Sequence, residues 1–210
     1  MSVTISKSLF IGMIIFLSSQ PTFSQIQSTP AGGDWNQPST WIGGVIPDMN
    51  NDVIINGTVG VTNGAACANL TVTSGTGILE NTGGSSTLEV YGSVTNNGII
   101  RNGNVHLDLN IRGNIINNGT WSNNSTKLTG NADQHISCLG QNEFSGNYFN
   151  NDNITSKLIA DGDVNFRNIR VDLGSVVFEL PKGAKLQHIS SGDYFRNIIL
   201  NGDSSILLFS

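Results

Sequence analysis

The chain has few charged residues and lacks the composition of a helical protein. Of its 210 residues only 12% are charged, whereas 25 are glycine and 27 are asparagine. Apolar residues come in short runs, without the Ala, Leu, Glu and Lys richness that long helices show. No stretch after the N-terminal region has helical amphipathicity. These shortages argue against a helical bundle and favour an all-β protein.

Basic residues are scarce and scattered. The 10 lysines and arginines are outnumbered by 15 aspartates and glutamates, and they form no cluster. Loss of an N-terminal segment that contains Lys7 would change the net charge from −5 to −6. We therefore expect no nucleic-acid partner and no attraction to an anionic membrane.

Motifs for catalysis and cofactor binding are also missing. The sequence has no Gly-x-Ser-x-Gly nucleophile motif, no zinc-type cluster and no phosphate-binding glycine loop. Asp48, Asn50 and Asp52 alternate like the start of a calcium loop, but that loop needs Gly and Glu where Val53 and Val59 stand. We expect a turn at this point, no cofactor, no metal site and no enzymatic activity.

What the chain does have is an internal repeat. Residues 87–100 and 108–121 carry nearly the same pattern, so that Leu88 matches Leu109 and Val94 matches Ile115. Residues 77–79 precede a similar triplet at 98–100 by the same offset. A period of about 20 residues with strand-like alternation indicates a β-solenoid. The alternative is two unrelated hairpins that share Asn-Gly turns.

The repeat places asparagine and glycine at a corner of every coil. We expect backbone conformations with φ > 0 there, which Asn and Gly adopt most easily. Stacked asparagine amides could then bond along the solenoid axis, as they do in cross-β assemblies. The predicted ladder consists of Asn96, Asn97, Gly98, Asn117, Asn118 and Gly119.

These patterns predict an all-β, right-handed parallel β-helix with coils of about 21 residues and an N-terminal cap. The handedness follows from the usual rule for parallel crossovers. We divide the chain into a signal peptide (1–24), a cap with the first strand (25–56) and solenoid repeats (57–210).

The N-terminal segment has the features of a secretory signal peptide. One early positive charge, Lys7, precedes the apolar run 9–17, and small residues follow before Gln25. The apolar run is short for a membrane span, although an uncleaved anchor is the alternative. We expect an extracellular or outer-surface protein with no transmembrane segment after cleavage.

The two cysteines, Cys67 and Cys138, are far apart in the sequence. Their separation corresponds to about three coils, or roughly 14 Å along the stack. A disulfide needs Cα atoms within about 7 Å. We predict two small core residues, with a disulfide as the alternative if coil lengths vary.

A second similarity links residues 134–137 to residues 187–190, which share the sequence Gln-His-Ile-Ser. An aromatic pair follows each copy, at 148–149 and at 194–195. We expect this to be structural recurrence, since no second His or Cys recurs at a fixed offset to support a metal site.

The residues after the signal peptide resemble a known group of proteins. The stretches 33–35 (Gly-Asp-Trp), 41–47 (Trp-Ile-Gly-Gly-Val-Ile-Pro) and 52–55 are similar to the opening of many secreted surface proteins of the Bacteroidetes. They are also similar to the extracellular domain named for its eight conserved glycines. The resemblance implies cargo of type nine secretion. The sorting domain of such cargo is missing, so we expect the chain to be the N-terminal part of a longer protein.

Trp35 and Trp41 have two interpretations. They could cap the open first coil, or they could form a platform on which sugar rings stack. We expect a structural or adhesive module that binds extracellular polysaccharide or a host or neighbouring cell surface. The alternative is a carbohydrate-active β-helix enzyme of the pectin-lyase kind, or its binding module. Its candidate residues are Asp161, Asp163, Arg167 and Arg170, although Asp-Gly-Asp is also ordinary turn chemistry.

Overall fold

The computed structural model describes residues 24–140, 142–152, 157–174, 176–189, 195–196, 199–201 and 206–209. Of the predicted signal peptide, all but Ser24 lies outside the described residues.

Short parallel strands, numbered β1 to β25 along the chain, form three sheets in the part of the chain that the structure describes. Sheet 1 has nine strands, in the order β1 (Ser24–Gln27), β3 (Asn51–Ile55), β6 (Leu70–Val72), β9 (Val94–Asn96), β12 (Ile115–Asn117), β15 (Gln134–Cys138), β18 (Leu158–Ala160), β21 (Val177–Glu179) and β24 (Ile199–Asn201). Sheet 2 also has nine, in the order β2 (Gly33–Asp34), β4 (Thr58–Val61), β7 (Ile78–Asn81), β10 (Ile99–Arg101), β13 (Thr120–Ser122), β16 (Phe144–Ser145), β19 (Val164–Arg167), β22 (Lys185–Ile189) and β25 (Ile206–Phe209). Sheet 3 has seven, in the order β5 (Ala66–Cys67), β8 (Ser86–Val90), β11 (Leu107–Ile111), β14 (Ser125–Leu128), β17 (Tyr148–Asn151), β20 (Arg170–Asp172) and β23 (Phe195–Arg196).

From β3 onward the chain visits sheets 1, 2 and 3 in turn, so one complete coil places one strand on each of three faces, whereas the first described coil has β1 and β2 alone. Neighbouring strands of one sheet come from successive coils and pair in parallel. Among the described residues, the helical structure is one 3₁₀ turn, Pro38–Thr40. The predicted all-β parallel solenoid is therefore confirmed.

The register of the predicted repeat is also confirmed. Leu88 pairs with Leu109 and Val94 pairs with Ile115, at the offset that the repeat requires. Other coils differ in length, because the turns between strands contain different numbers of residues. Ser125, for example, is closer along the chain to its partner Asp108 than to its partner Tyr148.

The core lies between the three sheets and is built by alternation along each strand. In β11, Leu107, Leu109 and Ile111 are fully buried, whereas Asp108 and Asn110 lie between them on the outer surface. Successive side chains of a strand point to opposite faces, so a short strand can bury only every second side chain. Many small strands thus share one continuous core.

Aromatic rings fill the core in the later coils. Trp121, Phe144 and Phe166 occupy paired positions on β13, β16 and β19 of sheet 2. Phe149 of sheet 3 packs across them, with its ring centre 5.4 Å from that of Phe144 and 5.1 Å from that of Phe166. Edge-on arrangements of this kind are favoured over face-to-face contact.

Asparagine amides link two successive coils at the corner between sheets 1 and 2. The Asn96 amide, which is fully buried, donates to Asn117 Oδ1 at 3.0 Å. Nearer the surface, Asn118 Nδ2 donates to Asn97 Oδ1 at 2.9 Å. Asn117 Nδ2 donates onward to the carbonyl of Glu143, at 3.0 Å. The two fully buried asparagine side chains, Asn96 and Asn117, therefore connect three coils.

The expected reason for glycine at this corner is wrong. Gly98 and Gly119 are not among the described residues with positive φ. Glycine is instead required by close approach of the backbone, since a Cβ on Gly119 would collide with the carbonyl oxygen of Gly98. A Cβ on Gly98 would likewise meet the carbonyl oxygens of Thr73 and Gly77. The coils are in contact at the corner, and a side chain would separate them.

The Gln-His-Ile-Ser similarity does not mark equivalent positions, contrary to expectation. Gln134 lies on β15 of sheet 1 and is buried, whereas Gln187 lies on β22 of sheet 2 and is half-buried. The aromatic similarity does hold, because Phe149 and Phe195 both pair with Val171 on sheet 3. The Gln-His-Ile-Ser similarity therefore does not reflect stacking in one sheet, whereas the aromatic similarity does.

We predict that Asn117→Ala destabilises the solenoid by about 1–3 kcal/mol, because it leaves buried hydrogen-bonding groups unpaired. Asn118→Ala is the matched control, since it removes one amide bond at a half-buried position and should cost less than about 1 kcal/mol. Urea unfolding followed by circular dichroism measures both. Equal losses for the two variants would contradict a special role for the buried amides.

We also predict that Gly119→Ala lowers the melting temperature much more than Gly162→Ala. Both glycines lie at corners between sheets 1 and 2, but a Cβ on Gly162 would meet nothing within 4 Å. The alanine at 119 must push two coils apart, and overpacking of this kind costs about 1–3 kcal/mol. Thermal unfolding of the two variants tests this, and similar melting temperatures would contradict the close-approach explanation.

Candidate functional site

The two tryptophans do not form a sugar platform. Trp35 is fully buried and Trp41 is 2% exposed. Their rings meet edge to face with centres 5.0 Å apart, and Trp41 Nε1 donates to the Trp35 carbonyl at 2.7 Å. The stacking prediction is wrong for these residues because neither ring offers a face to solvent. Trp35 directly follows β2, the terminal strand of sheet 2, so the pair lies at the first-coil end of the core.

The residues proposed for an enzyme are not gathered in one groove. Asp161 Oδ1 lies 2.7 Å from Nδ1 of His135, on the preceding coil of sheet 1. Asp163 accepts a hydrogen bond from the Lys185 backbone at 2.8 Å, so it supports the next coil. Arg167 of sheet 2 donates to both carboxylate oxygens of Glu143, at 2.7 Å each. The fourth candidate, Arg170, lies on sheet 3.

The acidic stretch near residue 50 is a turn that leads into β3, and Asp52 already belongs to that strand. Asp48 Oδ1 accepts from the Asn50 backbone at 2.8 Å, and Asp52 Oδ1 accepts from the Asn69 side chain at 2.8 Å. Within the described residues, no group of three or more His, Cys, Asp and Glu side chains could hold a metal ion.

The outer face of sheet 3 carries a polar groove around an exposed aromatic ring. A depression of about 380 Å³ is lined by residues of three successive coils on this face. A second, of about 230 Å³, adjoins it and shares Tyr148 and Arg170 with it. We call the two together the sheet 3 groove; its lining residues are Lys127, Gly146, Asn147, Tyr148, Asn150, Asn151, Asp152, Asn168, Arg170 and Asp172.

Strand register explains how these side chains come together. Lys127, Asn150 and Asp172 are paired positions on β14, β17 and β20, so they form one row along the axis. Tyr148 and Arg170 form the neighbouring outward row. Between the two rows, the side chains at 149 and 171 point into the core and are fully buried. Alternation thus sends two rows of polar side chains to the surface from strands anchored by apolar residues.

Tyr148 stands at the centre of the groove and is 39% exposed. The Arg170 guanidinium lies over its ring, 5.3 Å from the ring centre. A cation at this distance from an aromatic face is attracted to it and holds the ring in place. A similar pair, Arg112 over Tyr91 at 4.1 Å, lies earlier along the solenoid but lines neither of these two depressions.

The charges that line the groove balance each other. Lys127 and Arg170 supply two positive charges, and Asp152 and Asp172 supply two negative ones. Lys127 Nζ lies 2.9 Å from Asp152 Oδ2, so this lysine is already paired. The groove therefore presents amides, a phenol and charges that compensate each other, and its lining has no excess of either sign of charge.

The cysteines are both free thiols on different sheets. Burial raises the pKa of the Cys67 thiol far above its usual value, and the carboxylate of Asp52 adds to the effect. Burial also raises the pKa of Cys138 to about 11, against an opposing hydrogen bond from the Asn165 backbone. Neither thiol is therefore a nucleophile near neutral pH.

Among the described residues, no helix has the length and apolarity needed to cross a membrane. No protein-family model, curated protein or solved structure was found to match the chain. The class of the protein is therefore defined by its fold, a parallel β-solenoid, and the resemblance to Bacteroidetes surface proteins stays a prediction.

The sequence pattern did not predict the sheet 3 groove. Its residues come from coils whose lengths differ from that of the repeat, so a constant offset does not bring Lys127, Tyr148 and Arg170 together. The one feature of the sequence that pointed to sheet 3 was the repeated aromatic pair at 148–149 and 194–195. Phe149 and Phe195, one from each pair, both pair with Val171 in this sheet.

We predict that iodoacetamide modifies Cys138 slowly at pH 8 in the folded protein and leaves Cys67 unmodified. The rate at Cys138 should rise about tenfold per pH unit toward its pKa of about 11, because the thiolate is the reactive form. Peptide mass spectrometry measures both sites, and urea-unfolded protein is the control in which both react. Faster modification of Cys67 than of Cys138 would contradict the assigned burial.

Proposed function

We propose that the chain is a structural and adhesive β-solenoid module of the extracellular space or outer cell surface, which binds polysaccharide through the sheet 3 groove. The observation that carries this is an exposed tyrosine, Tyr148, held between two polar depressions on a continuous β-face. Sugar rings have apolar faces and polar edges, and an aromatic ring bordered by hydrogen-bonding groups complements both. The ligand would be an extracellular glycan or the surface of a host or neighbouring cell.

A stiff scaffold supports this role. Between the two terminal coils of the described residues, each coil is bonded to the next on three faces, and the inner asparagine amides tie coils together at a corner. Outer ion pairs between successive coils, such as Arg101 with Glu80, add to the connection. A rod built this way displays a binding face at a distance from its attachment point. Export through the predicted signal peptide would bring it to that setting.

A carbohydrate-active enzyme, or its binding module, is the second candidate. The observation in its favour is the contact of His135 with Asp161, beside a depression of about 420 Å³ that Asp161 and Glu179 help to line. Glycoside hydrolysis needs a pair of carboxyl groups about 5–9 Å apart that are available to substrate. Asp163, the partner predicted from sequence, is instead bonded to the backbone of the next coil. We therefore rank this candidate second.

We predict that the full chain binds polysaccharide without cleaving it. Affinity electrophoresis in gels containing single polysaccharides measures binding as retardation, and a reducing-end assay on the same polymers measures cleavage. The expected result is retardation by at least one polymer with no new reducing ends. Release of reducing ends that Asp161→Asn abolishes would favour the enzyme, and retardation by no glycan would contradict the adhesive role.

A further inference from the structure

We propose that the sheet 3 groove binds an uncharged oligosaccharide laid along β17, across the solenoid axis, with Tyr148 as its central contact. This inference rests on the proposed glycan-binding function and specifies its ligand class and direction. The alternative ligands are polyanionic glycans, such as uronic-acid polymers, and glycans that run lengthwise over many coils.

The direction follows from the order of the lining residues. The smaller depression is lined by residues 146–148 and by Asn168 and Arg170, whereas the larger one continues through residues 150–152 and Asp172. On both coils the groove therefore extends in the direction of the strands, from lower to higher residue numbers. Since the strands run across the solenoid axis, a ligand that fills both depressions crosses the axis as well.

The length of the groove indicates an oligosaccharide. The strand β17 itself, Tyr148–Asn151, spans roughly 10 Å at the rise of an extended strand, and the corner residues 146–147 and Asp152 extend the groove at its two ends. That distance is longer than one sugar ring, and Tyr148 stands where the two depressions meet. A ring packed against the phenol would therefore have neighbours of the same glycan chain on both sides.

The charges decide the ligand class. The two cations and two carboxylates of the groove cancel, and at Lys127 a uronate would have to displace Asp152 to gain an ion pair. Glu89 and Asp108 lie on the same face of the preceding coils, and the whole chain carries a net charge of −5. A polyanion is repelled by this field. The groove's asparagines instead offer amide donors and acceptors that suit sugar hydroxyls.

Calorimetric titration of the full chain with two series of oligosaccharides of increasing length, one neutral and one composed of uronic acids, tests the proposal. We expect binding by the neutral series, with affinity that rises over the first few rings and then levels off. We also expect the affinity for the neutral series to change less than about twofold between low and high salt. Salt screens interactions between charged groups, and an uncharged ligand brings no charge to the groove. Tyr148→Ala should weaken binding by about tenfold or more, equivalent to about 1.4 kcal/mol.

Tyr91→Ala is the matched control, since it removes the other arginine-stacked tyrosine and should leave affinity unchanged. Tyr148→Phe keeps the aromatic ring and should retain most of the binding. Melting curves of all variants show whether a loss of binding in Tyr148→Ala comes from the missing ring contact or from a folding defect. Binding by the uronic-acid series alone, with strong salt dependence, would overturn the ligand class and leave the adhesive function standing.

Two other results would overturn parts of the proposal. Affinity that keeps increasing with glycan length beyond the groove would contradict a ligand that crosses the axis. Neutral-glycan binding that is unaffected by Tyr148→Ala would place the site elsewhere on the solenoid. Binding by neither series, together with no retardation by any polysaccharide in gels, would refute the proposed function itself.

Discussion

The structure depends on hydrogen bonds between successive coils. A single coil has no internal partner for most of its backbone N–H and C=O groups, so the next coil must satisfy them. Among the described residues this holds on sheets 1 and 2 from the first coil to the last, and on sheet 3 from β5 to β23, with all the strands paired in parallel. The core and the corners of the solenoid are both built so that the coils can stack. Apolar side chains fill the space inside the coils, and glycine stands where two coils touch, as at Gly98 and Gly119.

Buried polar groups give this fold its register. Backbone pairing alone tolerates slippage by an even number of positions, since the side-chain pattern then repeats. A slip would break both hydrogen bonds that the buried Asn96 Nδ2 donates to the next coil, one to Asn117 Oδ1 and one to the Thr120 carbonyl. An unpaired buried amide is costly, so the ladder penalises wrong registers more than it strengthens the correct one. Fully bonded polar groups can in this way specify a unique arrangement.

The architecture could be predicted because residues 87–121 happen to contain two coils of equal length. There, Leu88 and Leu109 pair as the period requires. Elsewhere the turns vary, and sequence periodicity does not reveal which residues stack. The sheet 3 groove depends on this information, so it could not be predicted. Trp35 is buried, as the cap interpretation of the two tryptophans requires, but an aromatic residue in a turn-rich segment also fits a surface position, so the sequence left the sugar platform as an alternative.

The direction of the chain relative to the solenoid axis has a mechanical consequence. Covalent bonds run around the coils, and the bonds between coils point along the axis, so a lengthwise pull is first resisted by hydrogen bonds and packing. When one interface fails, the freed coil can straighten to about 70 Å, given about 21 residues at the reach of an extended chain. A solenoid of this design would lengthen in steps under tension and dissipate force coil by coil, while the coils still folded keep their outer faces intact.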